Sequence, residues 1–200
     1  MSAPHPTLND VLLHQLFLEA RTQNGWLDQP VDDATLRRIY ELARMGPTGA
    51  NIGPLRVTYV KSAEAKERLR PALNPGNVDK TMQAPATAIL AWDSRFPEVL
   101  PKLFPARDLK SQMEALPAAV REQHGMMNAT LQAGYFILAA RSLGLDAGPM
   151  GGFDKAKVDE AFFSDGRWRS ILLVNLGHGD PAKVLPRLPR LEFEEAGRIE

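Results

Sequence analysis

Leu8, Val11, Leu12 and Leu16 recur at helical spacing behind Thr7, Asn9 and Asp10, which supply capping groups and a negative first turn. This predicts an amphipathic helix that runs out near Ala20, into the polar segment Arg21-Thr22-Gln23-Asn24-Gly25-Trp26. A turn that combines a guanidinium, a hydroxyl and an amide beside glycine holds either an anion or only water. Asp32 and Asp33 cap a second helix, striped by Leu36, Ile39, Tyr40 and Ala43 and stopped at Gly46-Pro47. Small and hydrogen-bonding residues, Pro47-Thr48-Gly49-Ala50-Asn51-Ile52-Gly53-Pro54, then lead into a strand over 56–60. Ser62 opens a short charged helix, 71–76 reads as a turn, and 77–84 is a helical piece ended by Pro85. Asn77 and Lys80, three apart, share a face of that piece.

Residues 86–92 form an almost continuous apolar run of strand length. From 94 to 119 the pattern dissolves around Pro97, Pro101, Pro105 and Pro117. Phe96, Phe104 and Arg107 lie among these prolines, and such aromatic content favours a binding lid over disorder. The longest helix is predicted over 122–143, where Met126, Met127, Leu131, Tyr135 and residues 136–140 leave it apolar on most sides, as suits a core or a subunit interface. A short strand (145–147) and a glycine-rich loop follow, then a helix capped by Asp154 and carrying Val158, Ala161 and Phe162, then a buried strand over 168–176. The tail, 177–200, has too little apolar surface to fold on itself, so it either frays or lies across something such as a second subunit. Strands separated by helices would normally make a parallel sheet.

Composition narrows the chemistry. At 200 residues and 44% hydrophobic content the chain is read as one domain, with no metal or disulfide needed for its core. It has no cysteine, so it holds no iron-sulfur cluster, redox dithiol or thiolate nucleophile, and any redox chemistry must be borrowed from a cofactor. The 24 basic and 24 acidic residues cancel without long blocks, which argues against a nucleic-acid partner. No membrane span or targeting segment is visible, so a cytoplasmic protein is expected. A dinucleotide glycine fingerprint, a Walker loop and a nucleophile elbow around Ser94, Ser142 or Ser164 are absent, and His5, His14, His124 and His178 lack metal-ligand spacing. His178, between Gly177 and Gly179, reads as a catalytic group or as a turn histidine. The stretch Gly148-Pro149-Met150-Gly151-Gly152 nearly lacks side chains, so it is either an ordinary loop or a place where bare peptide groups meet a flat ligand.

Five pieces occur in order: Arg21-Thr22, Pro47-Thr48-Gly49-Ala50-Asn51, Asn77-x-x-Lys80, Gly148-Pro149-Met150-Gly151-Gly152-Phe153-Asp154, and Arg187-Leu188-Pro189-Arg190. In this the chain resembles the nitroreductase family of FMN enzymes over nearly its whole length. Further details resemble the malonic semialdehyde reductase branch of pyrimidine degradation: Asn24-Gly25-Trp26, residues 67–73, Ala91-Trp92-Asp93-Ser94, Leu103-Phe104-Pro105, and Phe193-Glu194-Glu195-Ala196 in the tail.

The resemblance implies an α+β fold with a mostly antiparallel sheet flanked by helices. It implies one domain over 1–200 and an intertwined homodimer with FMN at the subunit interface, in which 94–119 serves as a lid and the 177–200 tail is exchanged. It places Arg21 and Thr22 at the start of the chain, with Arg190 and Arg187 at its end, around the FMN phosphate, and counts Asn24 among the cofactor contacts. Pro47, Thr48, Gly49 and Asn51 would line the ribityl chain and ring, and Asn77 and Lys80 would face the pyrimidine edge, where a lysine stabilises charge that gathers on reduction. Pro149, Met150, Gly151 and Gly152 would cover the other side of the ring, with the Gly151 N–H donated to N5. NADPH or NADH would be the electron donor, and Phe104, Arg107 and Phe153 the candidate substrate contacts. Where the family usually has arginine, any residue and serine, this chain reads Ala20, Arg21, Thr22. Gly53 and Leu55 replace a glutamine and an aromatic, and His178 a tyrosine; these changes bear on substrate preference more than on flavin binding. The expected activity is ping-pong reduction of malonic semialdehyde to 3-hydroxypropanoate. A broad nitro or quinone reductase and a non-catalytic flavin-binding protein are the rival readings.

Overall fold

The apolar runs become the inner strands of a sheet covered on both faces. In the computed structural model, which describes residues 7–200 and so leaves His5 outside the described residues, the strands are β1 (Leu55–Val60), β2 (Ala86–Asp93), β3 (Asp146–Met150) and β4 (Trp168–Gly177). They lie in the order β1-β2-β4-β3, and every neighbouring pair is antiparallel. The parallel sheet that helix-separated strands suggested is therefore wrong, and the antiparallel sheet implied by the resemblance is right. All eight positions of β2 are buried. A strand covered on both faces reads as a continuous apolar run whichever way its neighbours point, so the run carries no information about direction.

Helix α7 (Ala118–Ser142) covers one face of the sheet and touches all four strands. It buries Gly125, Ala129, Ala133, Phe136, Ala139 and Ala140 together with α2 (Asp33–Ala43), which presents Leu36, Ile39 and Ala43. Helices α3 (Ala63–Leu69) and α8 (Lys155–Phe162) cover the other face, around Leu69, Ile89, Val158 and Leu173. Asp32, Ser62 and Asp154 cap their helices as expected, accepting the N–H of Thr35, Ala65 and Lys157. α7 is not apolar in function all round. Met127 and Leu131 lie on its outer side, 60% and 45% exposed.

Other expectations need adjustment. Of the three expected capping residues Asn9 caps the first helix, which is only α1 (Asp10–Leu13) before the chain widens to a π-helical turn over His14–Leu18. The excursion after β2 is folded: α5 (Leu100–Leu103) and α6 (Leu109–Glu114) form there, with Phe96, Leu100 and Leu109 buried. Pro97 and Pro101 sit in first turns, where a missing N–H costs nothing. β3 extends through Gly148, Pro149 and Met150, and proline is tolerated because β3 is an edge strand.

Where β2 ends, Asp93 is fully buried and receives Arg56 at 2.8 Å, two hydrogen bonds from Arg167 at 3.0 Å each, and the N–H of Arg95 at 2.9 Å. Burial alone would raise its pKa. The Arg167 hydrogen bonds, the Arg95 N–H and the two positive charges outweigh it and hold the carboxyl below its ordinary value of 3.8. A carboxylate of lowered pKa contributes its full stability above the unfolded value and loses it as pH falls from there through the folded value. Asp93→Ala should cost about 3–5 kcal/mol in urea unfolding at neutral pH. Asp93→Asn should flatten the acid limb of the stability profile.

Candidate functional site

The predicted site residues gather in two groups. In the first, the segment that follows the π-helical turn runs beside β3: Thr22 bridges Ala147 and the Gln23 N–H donates to the Ala147 carbonyl at 3.3 Å. Helix α4 (Val78–Gln83) stands against it. Trp26 Nε1 donates to the Lys80 carbonyl at 2.8 Å, and Lys80 Nζ reaches Asn24 Oδ1 at 3.3 Å. Asn77 Nδ2 donates to the Gly152 carbonyl at 2.8 Å, which ties α4 to the turn beyond β3. Asn24, Asn77, Lys80, Gly151 and Gly152 thus share one neighbourhood.

A buried lysine holds this arrangement from behind. Lys66, 7% exposed, donates to the Met82 carbonyl at 3.0 Å and to that of Ala84, so it satisfies the carbonyls at the end of α4. Its burial pulls its pKa down.

The glycine-rich turn divides in two. A Cβ at Gly152 would lie 2.7 Å from Asn77 Nδ2 and 3.1 Å from Asn74 Nδ2, so a side chain there has to displace those amides. At Gly151 a Cβ would meet nothing within 4 Å, and the residue is exposed. Among the described residues no packing needs a glycine at that position, which fits a flat group approaching it from outside. Met150 and Phe153, by contrast, are 7% and 8% exposed and belong to the second core, so Phe153 is spent on packing.

Arg21 and Arg187 join the chain ends. Arg21 donates to the Leu185 carbonyl, and Arg187 Nη2 to those of Leu18 at 2.6 Å and Ala20 at 3.3 Å. Arg190 bonds its own turn, at Leu188 and Pro189, and is exposed. Sequence reasoning passed over Gln23, whose Oε1 is the one buried side-chain oxygen without a partner among the described residues. A Cβ at Gly179 would lie 2.2 Å from its Cδ, and that small residue was the available signal.

The second group is the Pro47–Asn51 loop. The Gly49 N–H donates to Asn128 Oδ1 at 2.7 Å, Tyr135 OH to the Pro47 carbonyl at 3.2 Å, and the Leu55 N–H to Gln132 Oε1 at 3.0 Å, all on α7. Thr48 Oγ1 accepts the Gly53 N–H at 3.2 Å. Asn51 Nδ2 donates to the Leu103 carbonyl at 2.8 Å, which brings up the excursion, where Arg107 lies 5.4 Å over the Phe104 ring. Ala50 and Asn51 hold φ of 49° and 54°, a left-handed region that an alanine enters only under constraint. This loop leads into β1 and the glycine turn leaves β3, the opposite edge of the sheet. Three strand spacings, about 14 Å, separate those edges.

The geometry can now be set beside known proteins. The model of the nitroreductase family matches residues 20–178. The chain belongs to the nitroreductase family. A relative from Burkholderia lata, provisionally named an NADH dehydrogenase/NAD(P)H nitroreductase, is 55% identical over 194 residues, covering 97% of this chain and 99% of its own. One from Ralstonia nicotianae with the same provisional name is 53% identical over the same shares. In fold the chain is similar to a provisionally named nitroreductase of Exiguobacterium sibiricum, solved in complex with FMN, at TM-score 0.85 and 21% identity over 98% of this chain and 99% of that one. The nitroreductase fold thus supplies the frame on which both groups are mounted.

Within that frame Ala50 is a testable strain. Ala50→Gly should raise unfolding stability by about 1 kcal/mol, because glycine takes positive φ without the Cβ clash. Urea titration reads the change.

Proposed function

We propose that the protein is an FMN-dependent NAD(P)H oxidoreductase, acting as a homodimer with FMN at the seam, whose acceptor is malonic semialdehyde, reduced to 3-hydroxypropanoate. The observation that carries this is the exposed Gly151 peptide held beside Asn77 and Lys80. The FMN complex of the Exiguobacterium protein and the NAD(P)H in the relatives' names support the same pair of cofactors. When bound, the flavin supplies the hydride acceptor and donor that a cysteine-free chain lacks.

The chain's own residues then have distinct tasks. The Gly151 N–H donates to the flavin's N5, and the Lys80 ammonium stabilises negative charge at the pyrimidine edge beside Asn77. Thr22, with Arg21, Arg187 and Arg190, takes the phosphate, and Asn24 contacts the cofactor from beside Lys80. Pro149, Met150 and Gly152 shape the turn around the ring. Because Pro47, Thr48, Gly49 and Asn51 stand on the other sheet edge, a second copy brings its loop to complete the site. Phe104 and Arg107 arrive with that loop, and the Arg107 guanidinium pairs with the acceptor's carboxylate. Donor and acceptor occupy the same place in turn.

The exposed apolar residues of the tail support the dimer: Leu185, Leu188, Leu191 and Phe193 are 57–75% exposed. Beside the free edge of β1 runs a groove of about 780 Å³ lined by Leu36, Tyr40, Val57, Tyr59, Arg37 and Arg44. We infer that it receives the partner's tail, whose Glu192, Glu194 and Glu195 complement Arg37 and Arg44, in a lining that also holds Arg56, Lys61, Asp33 and Glu41. A broader nitro or quinone reductase is the second reading, favoured by the relatives' names.

Anaerobic NADPH titration of the purified protein should bleach its flavin band, and malonic semialdehyde should restore it. Restoration by menadione alone would leave the broad reductase, and a band that neither NADPH nor NADH bleaches would leave a flavin-binding protein without this activity. Gly151→Ala should keep the wild-type melting temperature while altering the flavin spectrum, whereas Gly152→Ala should lower the melting temperature by displacing Asn77. Deleting residues 192–200 should convert dimer to monomer in sedimentation.

A further inference from the structure

β3 pairs only with residues 173–177 of β4, so the first half of β4, from Trp168 to Leu172, has β2 on one side and, among the described residues, no strand on the other. The register slips there: Leu90 faces Leu172 and Ala91 faces Ser170, which leaves Ile171 as the extra residue of a bulge. The result is a notch of about 540 Å³ between the start of α7 and the start of α8, a size that suits a small-molecule ligand.

Three cations line the notch: Arg121, Lys155 and Arg169. Among the described residues none of them has a carboxylate within 4 Å; Arg121 donates only to the carbonyls of Glu114 and Leu116, and Lys155 and Arg169 are exposed. Two carboxylates oppose them, Glu122 and Asp159, and Asp159 Oδ1 is already engaged by the Ser170 N–H at 2.8 Å. Met126 and Ile171 give the notch an apolar wall. Free guanidinium and ammonium groups beside apolar surface suit an organic polyanion, phosphate in particular.

Position narrows the ligand. Ser170 lies three residues along β4 from Leu173, the partner of Met150, so about 10 Å of strand separates the notch from the end of β3. Lys155 follows Gly152 by three residues. We propose that the notch binds the phosphate-bearing adenosine half of the nicotinamide dinucleotide, with Arg169 and Lys155 on the phosphates and Met126 and Ile171 against the base. This rests on the hydride-donor reading above, because the reactive ring must then lie at Gly151. Neither the family match nor the relatives' names assign a residue to that half of the donor.

The test uses the flavin-loaded dimer and two reversals of equal charge, Arg169→Glu inside the notch and Lys157→Glu outside it on α8. Arg169→Glu should raise KM for NADPH about tenfold or more, as expected when a charge-assisted contact is lost, and lower kcat far less. Lys157→Glu should leave KM where it was. In parallel, 2′-phospho-ADP-ribose should change the tryptophan fluorescence of wild type, through Trp92 in the notch wall, and not that of Arg169→Glu. Equal KM and equal titration curves for wild type and Arg169→Glu overturn the proposal while the hydride-transfer reading stands. A notch that binds inorganic pyrophosphate as tightly as 2′-phospho-ADP-ribose also overturns it, since the site then reads free phosphate. Failure of both NADPH and NADH to reduce the flavin would instead fell the reading on which the proposal rests, and the fluorescence titration would still report the notch by itself.

Discussion

Two buried amides on α7 are the contacts on which the Pro47–Asn51 side of the molecule depends. Asn128 accepts the N–H of Gly49, inside the loop, and Gln132 that of Leu55, the first residue of β1. Leaving the buried Leu55 N–H unpaired would cost about 1–3 kcal/mol. These bonds offset the left-handed backbone at Ala50 and Asn51, and they fix the loop to the helix that spans the sheet. A rigid helix thus carries the shape of a loop that has few side chains of its own.

The other side of the molecule relies on a different device. Lys66 closes the end of α4, Asn77 at its start holds Gly152, and Lys80 between them faces Asn24. The chemistry-bearing amide and ammonium groups are therefore set by one short helix pinned at both ends, and the turn they border is left with its peptide groups open. Such an arrangement presents backbone donors and one positive charge to the same space.

Much of this was legible in the chain. The capping aspartates, the stripe of α2, the inner strands and the order of the five family pieces all follow from local chemistry that acts over a few residues. Strand direction was not, because β2 is buried on both faces and its apolar run is the same for either direction. The excursion looked shapeless because Pro97 and Pro101 were read as breakers, although each occupies a first turn. The division of labour between Gly151 and Gly152 depends on where Asn77 falls in space, which no spacing along the chain reveals. Arg56, Asp93 and Arg167 were likewise scattered in sequence and meet only because β1, β2 and the approach to β4 end together.

The mutual grip of Arg21 on Leu185 and Arg187 on Leu18 and Ala20 couples segments more than 160 residues apart. Each guanidinium closes the other's segment, so a substitution at either arginine loosens both, and the order of the strip beside Thr22 is a joint property of the two rather than of either alone.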